Sequence, residues 1–302
     1  MKAVVLHEYG GPDKLKWEDV DDPKIGENDL LVRLSASSVN PVDYKMRSGA
    51  AKERFPVEFP GIIGRDVSGI VREVGSKVTG FEPGDKVMAL ANHTYAELVV
   101  VPAAEAAHVP EGLDVVEAAA LPLVTLTGER LITLGTKIQA GQTVLVAGAT
   151  GGVGRSAVWT AKKAGATVIA GVRKKQLKEA AEIGADEVLA LDDDEAMEKL
   201  GFIDAVADAV GGETAEMLIG KVKQGGIFAS VVGLPSNAKM HPTVHVELVR
   251  AKPDVAALET LAADVLAGKF KIPIDRMIPL EDAGEGQAAA EKGGIGKVLL
   301  VG

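Results

Sequence analysis

Ala149, Gly151 and Gly154 stand at the spacing A-x-G-x-x-G inside Thr143-Val144-Leu145-Val146-Ala147-Gly148-Ala149-Thr150-Gly151-Gly152-Val153-Gly154. The chemistry such a turn serves is phosphate binding. Without side chains the backbone closes on a pyrophosphate, and the helix that follows offers free N–H groups and the positive end of its dipole. A tight turn with no ligand has the same spelling, so the flanks decide. Thr143–Ala147 is an apolar run that reads as a buried strand of a parallel sheet. Val158, Ala161 and Ala164 then share one helical face, Gly165 stops the helix, and a second strand starts at Ala166. The unit is complete, so Thr150, Gly151, Gly152 and Val153 are expected against a dinucleotide, with Gly171 beside them at the end of the second strand.

That second strand runs into Arg173-Lys174-Lys175, and no carboxylate follows until Glu179. An acidic residue here would accept from a ribose 2′-hydroxyl, whereas a cation pairs with a 2′-phosphate. The other reading is a solvated, basic start to the next helix. Cations at a helix N-terminus are unfavourable unless an anion offsets them, so Arg173 and Lys174 point to NADPH. Further cofactor contacts are expected where strands end. Val210 follows the fourth strand, and Val232 and Gly233 follow the fifth. Thr125 and Thr127 precede the fold and are expected to reach the cofactor as well.

The elements that must position these residues come in two styles. Up to about Gly112, short strands alternate with Gly, Pro and Asp turns: Lys2–His7, Asp29–Ser37, Val67–Val74, Lys86–Leu90 and Ala96–Val101. Ala118 to Leu134 reads as helix, interrupted at Pro122. Strands then alternate with helices. The strands are Thr143–Ala147, Thr167–Val172, Glu187–Leu191, Ile203–Asp208, Gly226–Val232 and Val244–Leu248. The helices are Lys174–Ile183, Asp194–Leu200 and Glu213–Ile219. The expected fold is α/β: a doubly wound, parallel, six-stranded Rossmann sheet beside a partly open β-barrel domain. An amphipathic helix from Pro253 to about Ala267 and a strand at Lys297–Val301 close the chain. The expected domains are 1–118 with 251–302, and 119–250 for the dinucleotide.

Composition narrows the function classes. A net charge of −10 argues against nucleic-acid and anionic-membrane partners. No apolar run reaches the length of a membrane span, and the N-terminus reads as a strand, so a cytoplasmic protein is expected. The chain has no cysteine, which excludes disulfides, thiolate catalysis and Cys-based zinc sites. Of its five histidines, His241 and His245 have i, i+4 spacing, but Pro242 lies between them and the stretch reads as extended. His7, His93 and His108 are isolated. No metal site is expected.

Four stretches, taken with this order of parts, carry a family resemblance. Asn40-Pro41-Val42-Asp43-Tyr44-Lys45, Gly61 to Gly69, Phe81-Glu82-Pro83-Gly84-Asp85-Lys86-Val87 and the glycine turn resemble the medium-chain dehydrogenase/reductase superfamily. They are similar to its zinc-independent quinone oxidoreductase and enone reductase branch. The resemblance implies a GroES-like catalytic domain and an NADPH-dependent reductase of quinones or α,β-unsaturated carbonyls. Zinc-bearing members use a Cys and a Gly-His-Glu segment, where this chain has Asn40 and Gly64-Arg65-Asp66. The resemblance also places Asn40–Lys45 beside the nicotinamide. Asn40 is then a partner for the ring or the acceptor carbonyl, Tyr44 a proton donor, and Lys45 a contact for the ribose or the oxyanion. Their plain alternatives are a turn residue, packing and a surface charge, with water as the proton source. Lys297 is expected to approach the cofactor from the closing segment. A homodimer through the sixth strand is expected, and the competing function is a catalytically idle NADPH-binding sensor or scaffold.

Overall fold

The computed structural model describes residues 1–294 and 296–302. They form two compact units, Met1–Leu123 with Pro253–Gly268 and Ile272–Gly302, and Val124–Lys252 with Lys269–Lys271.

The first unit opens with strands β1 (Lys2–Leu6), β2 (Leu15–Asp19) and β3 (Asp29–Ser38), then helix α1 (Pro41–Ser48). Strands β4 (Gly61–Ile62), β5 (Asp66–Val74), β6 (Lys86–Leu90), β7 (Leu98–Pro102) and β8 (Ala106–His108) follow, and then α2 (Val115–Ala118). Three strands form a small sheet in the order β2-β1-β4. The long strand β3 organises the larger one. Its apolar positions Leu30, Val32 and Leu34 are buried, and it pairs with both β5 and β7.

Helix α3 (Pro122–Arg130) leads into the second unit. The helix expected from 118 to 134 is therefore divided. Pro122 opens α3, where its missing N–H costs nothing, and a wider π-type turn covers Leu131–Thr136. The unit then alternates β9 (Thr143–Ala147), α4 (Gly152–Lys163), β10 (Thr167–Val172), α5 (Leu177–Ala180), β11 (Glu187–Ala190) and α6 (Asp194–Lys199). It ends with β12 (Ile203–Asp208), α7 (Gly212–Ile219), β13 (Val222–Ser230) and β14 (His245–Leu248). The sheet order is β11-β10-β9-β12-β13-β14, all parallel. The order reverses between β9 and β12, so their C-terminal ends flank the crevice in which such sheets bind ligands. Val144, Val146, Val168, Ala170, Ala205 and Ala207 bury one face of this sheet against Val158 and Ala161 of α4. The helix expected over 174–183 is shorter, a 3-10 turn at Lys174–Gln176 and one turn of α5, because beyond Leu177 and Ala180 few apolar residues anchor it.

The chain returns to the first unit with α8 (Val255–Leu266), β15 (Ile274–Pro279), α9 (Ala283–Lys292) and β16 (Lys297–Val301). Strand β16 pairs antiparallel with the end of β3 and parallel with β15. Counting β7, which pairs beside β3, the larger sheet has seven strands, in the order β15-β16-β3-β5-β6-β8. Among the described residues no helix is long and apolar enough to cross a membrane.

Candidate functional site

In the second unit the glycine turn lies between β9 and α4. Gly154 is required for close packing, since a Cβ there would sit 2.2 Å from the Gly148 carbonyl oxygen. Gly151 occupies the N-cap position of α4 with no side chain to close the helix end. The first-turn N–H groups of this twelve-residue helix are those an anion accepts from. The residues therefore fit a dinucleotide pyrophosphate.

Thr150 is tied to the end of β10. Its Oγ1 accepts from Gln176 Nε2 at 2.8 Å, and its carbonyl accepts from Arg155 Nε at 2.9 Å. Gln176 Oε1 in turn accepts from the Arg173 N–H. These bonds connect the pyrophosphate turn with the basic residues at the ribose end. The two leading cations there differ. Lys174 Nζ lies 3.0 Å from Asp193 Oδ2, and that carboxylate raises the ammonium above its ordinary pKa. The anion that a basic helix start requires is thus supplied for Lys174 by the protein itself, and its charge is not uncompensated. Arg173 is exposed, and no described carboxylate pairs with it.

The loops after β12 and β13 are held by one buried carboxylate. Asp208 Oδ1 accepts from the N–H groups of Val210 and Gly211, both at 2.9 Å, and Oδ2 accepts from Ser230 Oγ. Ser230 Oγ accepts from the N–H groups of Val232 and Gly233. The N–H groups of Val210, Val232 and Gly233 are therefore taken within the unit, which leaves their carbonyls and the two valine side chains without a described hydrogen bond to satisfy. Asp208 and Ser230 are absent from the expected set, although an Asp closing an apolar strand before Val210-Gly211 is a readable signal. Thr125 is buried, and its carbonyl accepts from Ser156 Oγ; Thr127 is also buried.

In the first unit a polar cluster is assembled from distant parts of the chain. Asn40 caps α1 and Pro41 is its first residue. Asp43, at the third position, accepts the Asn40 N–H on Oδ2 at 2.8 Å, the return half of a capping box. The Asn40 side chain is thereby left for other work. Its Nδ2 donates to Asp66 Oδ2 at 2.8 Å and to the Ser38 carbonyl, and its Oδ1 accepts from Lys297 Nζ at 2.7 Å. Asn40 is 0% exposed, and both ends of its amide are bonded inside the unit. Lys297 is turned inward in the same way. Its ammonium also donates to the Val39 carbonyl and lies 3.6 Å from Asp66 Oδ2, so three acceptors face its three protons. Burial pulls it below its ordinary pKa, against the upward pull of Asp66 and Asp43. Asp66 completes its set with Ser38 Oγ–H and the Leu123 N–H.

Asp43 also accepts from the Tyr95 hydroxyl at 3.2 Å, while its Oδ1 is buried without a partner. Burial, with Asp66 nearby, pushes its carboxyl up to about 7. Tyr44, next along α1, is half-buried, and burial with Glu291 and Asp43 raises its phenol, which keeps its proton at neutral pH. Lys45 is half-buried and unpaired with any described carboxylate. Of the histidines, His245 lies on strand β14 and His241 ends a 3-10 turn, so the two do not share a helical face. No group of three or more His, Asp or Glu that could hold a metal is found among the described residues.

Residues 26–111 match the alcohol dehydrogenase GroES-like domain, and residues 183–300 match the family described as zinc-binding dehydrogenase. A mitochondrial NAD(P)H oxidoreductase of Mus musculus, RTN4IP1, is 31% identical over 343 residues, covering 97% of this chain and 87% of the relative. The solved quinone oxidoreductase of Coxiella burnetii superposes with a TM-score of 0.89 at 29% identity, over 100% of this chain and 99% of that one. A solved NAD-dependent alcohol dehydrogenase gives 0.88 at 30% identity, over 100% of both chains. Sequence similarity along nearly the whole length, a GroES-like β unit and a six-stranded parallel dinucleotide sheet agree, and the chain belongs to the medium-chain dehydrogenase/reductase superfamily, in its quinone oxidoreductase branch.

Proposed function

We propose that this protein is an NADPH-dependent reductase that reduces a quinone or an α,β-unsaturated carbonyl without zinc. The observation that carries the reading is the second unit's open helix N-terminus, tied through Thr150 and Gln176 to an unpaired Arg173. A pyrophosphate and a 2′-phosphate are the anions these groups suit. Family membership supports a nicotinamide-dependent oxidoreductase, and the relatives' names support a quinone acceptor. When bound, the reduced nicotinamide supplies a hydride, and the acceptor takes up one proton to complete its reduction.

The cofactor is assigned to Thr150, Gly151, Gly152, Val153, Gly171 and Arg173, with Thr125, Val210, Val232 and Gly233 around them. Lys174 adds positive charge while paired to Asp193. On the acceptor side, Tyr44 holds a phenolic proton at neutral pH and is the donor, with water as its competitor. The Lys45 ammonium is free to oppose developing negative charge. Asn40 and Lys297 position α1 and do not touch reactants. Zinc independence rests on the donor set. Asn40 and Asp66 are consumed by hydrogen bonds within the first unit, Arg65 is no zinc ligand, and cysteine is absent.

The committed Asn40 amide favours one other reading, an NADPH-binding sensor or scaffold that turns nothing over. A single assay separates them. Purified protein with NADPH and a panel of quinones and enones should lose nicotinamide absorbance, with or without a chelator. Binding of NADPH with no turnover on any acceptor would leave the sensor reading. Activity lost to the chelator and restored by zinc would refute metal independence. A cytoplasmic location belongs to the same reading, and cell fractionation that finds the protein in an organelle would overturn it.

A further inference from the structure

Arg65 is a charged group that neither the cradle nor the buried cluster uses. It is half-buried, its Nε is buried without a hydrogen-bond acceptor, and no described carboxylate pairs with its guanidinium. The acid next to it in sequence, Asp66, is held elsewhere. It begins β5 and is held by Ser38, Asn40 and the Leu123 N–H. A guanidinium does not shed its proton in proteins, so this site keeps a positive charge and its donors.

Its placement is fixed from both sides. Gly64 has φ +105°, and a Cβ there would lie 2.4 Å from Thr94 Oγ1, so this backbone conformation is available to glycine alone. The Arg65 carbonyl accepts from the Ala91 N–H at 2.9 Å. The guanidinium lies over the Phe55 ring, 6.0 Å from its centroid, and the Phe55 N–H donates to the Ala51 carbonyl just past α1. A planar, unpaired cation beside a flat apolar ring suits a ligand that is itself flat and carries an oxygen with negative charge. A quinone or a conjugated carbonyl has both properties.

We propose that Arg65 is a substrate-binding residue whose guanidinium grips the acceptor's carbonyl oxygen and holds the negative charge that collects there. This rests on the reductase reading above. The balance is simple. Hydride adds to carbon, the displaced π pair moves onto the carbonyl oxygen facing Arg65, and the anion takes one proton from Tyr44 or water. Since the Arg65 side chain makes no hydrogen bond with the described residues and loses only its contact with the Phe55 ring, its removal costs the fold little. Function and stability should therefore move separately.

The test uses the full chain with Arg65→Met and Arg65→Lys, 1,4-naphthoquinone as acceptor, and three measurements. Arg65→Met should lower kcat/KM by about ten- to a hundredfold, the loss of one charge-assisted hydrogen bond. It should leave the NADPH Kd within about twofold, and the melting temperature should be unchanged or higher. Arg65→Lys should recover part of the rate. A rate within about twofold of wild type in Arg65→Met would overturn the proposal, as would a tenfold weaker NADPH Kd, which would make Arg65 a cofactor residue. If the wild type turns over no acceptor, the reductase reading falls on its own. Arg65 is then read by the NMR signal of its Nε–H during titration with benzoate. A saturable shift that Arg65→Met abolishes supports an oxyanion site, and no shift overturns it.

Discussion

Lys297→Met tests whether the buried cluster in the first unit is a support rather than a cofactor contact. The Nζ of Lys297 donates to the Val39 carbonyl at 3.1 Å and to Asn40 Oδ1 at 2.7 Å, and lies 3.6 Å from Asp66 Oδ2. At that separation, with an effective dielectric of about 20, the attraction to Asp66 is about 5 kcal/mol. Burial offsets it, as the lowered pKa of the lysine shows, so the pair adds little net stability against an apolar replacement of both groups. Removing one partner is a different matter, because Asp66 stays behind, 0% exposed and without its cation. Such truncations cost about 3–5 kcal/mol. Asp66 keeps Ser38 Oγ–H, Asn40 Nδ2–H and the Leu123 N–H, which places the loss near the lower end, about 3 kcal/mol. At about 2–4 °C per kcal/mol for a chain of this size, the melting temperature should fall by roughly 6–12 °C. The assay is thermal unfolding followed by circular dichroism, with NADPH titrated below the transition. The NADPH Kd should stay within about twofold of wild type, since the ammonium faces Asn40 and Asp66. A melting temperature within about 2 °C of wild type would refute the energetic argument. A tenfold loss of NADPH affinity in a fully folded variant would return Lys297 to the cofactor.

Three further outcomes are expected. Arg173→Ala should weaken NADPH by about ten- to a hundredfold and leave NADH nearly unchanged, and equal losses for the two cofactors would mean that Arg173 supports the fold. Asp43 gives stability a pH dependence of definite sign. Its carboxyl is raised from 3.8 to about 7, so the folded chain keeps a proton that the unfolded chain has lost; its contribution is full below about pH 4 and is lost as pH rises through about 7. Urea unfolding should therefore show a loss of roughly 3 kcal/mol between about pH 5 and about pH 8 that Asp43→Asn removes, and parallel profiles for the two proteins would count against it. Strand β14 leaves one edge of the six-stranded sheet unpaired, with Leu248 39% exposed on it, and pairing of that edge with a second copy predicts a homodimer. A monomer mass by light scattering at micromolar concentration would exclude that.

The dinucleotide unit was legible because its signals are local. Thr143–Ala147, Thr167–Val172 and Ile203–Asp208 are apolar runs closed by a turn glycine or a charged residue, and each stands where the pattern puts it. Local punctuation also misled. Gly225 and Gly226 look like a break, yet β13 starts before them at Val222 and carries them on exposed or half-buried positions. Asn40-Pro41 looks like a turn, yet it is an N-cap followed by proline at the first position of α1, a start signal confirmed three residues on by Asp43. Helix α1 escaped notice because it lacks an apolar stripe: its fully buried residues are Asp43 and Arg47.

That burial of charge explains why the polar cluster could not be read from the sequence. Arg47, 2% exposed, gives its protons to the Gly10 carbonyl, to Gln287 Oε1 and to Glu291 on α9. Lys297 reaches Asn40 across 257 positions of sequence. Each of these residues, taken alone, reads as a solvated surface charge, and only the return of α9 against α1 and of β16 onto β3 completes its set of partners. The charges of this chain are thus of two kinds. A charge whose partners are all inside the fold, such as Lys297 or Lys174, explains its own position. A charge whose backbone the fold fixes and whose side chain no described carboxylate meets, such as Arg65, leaves its donors for a ligand.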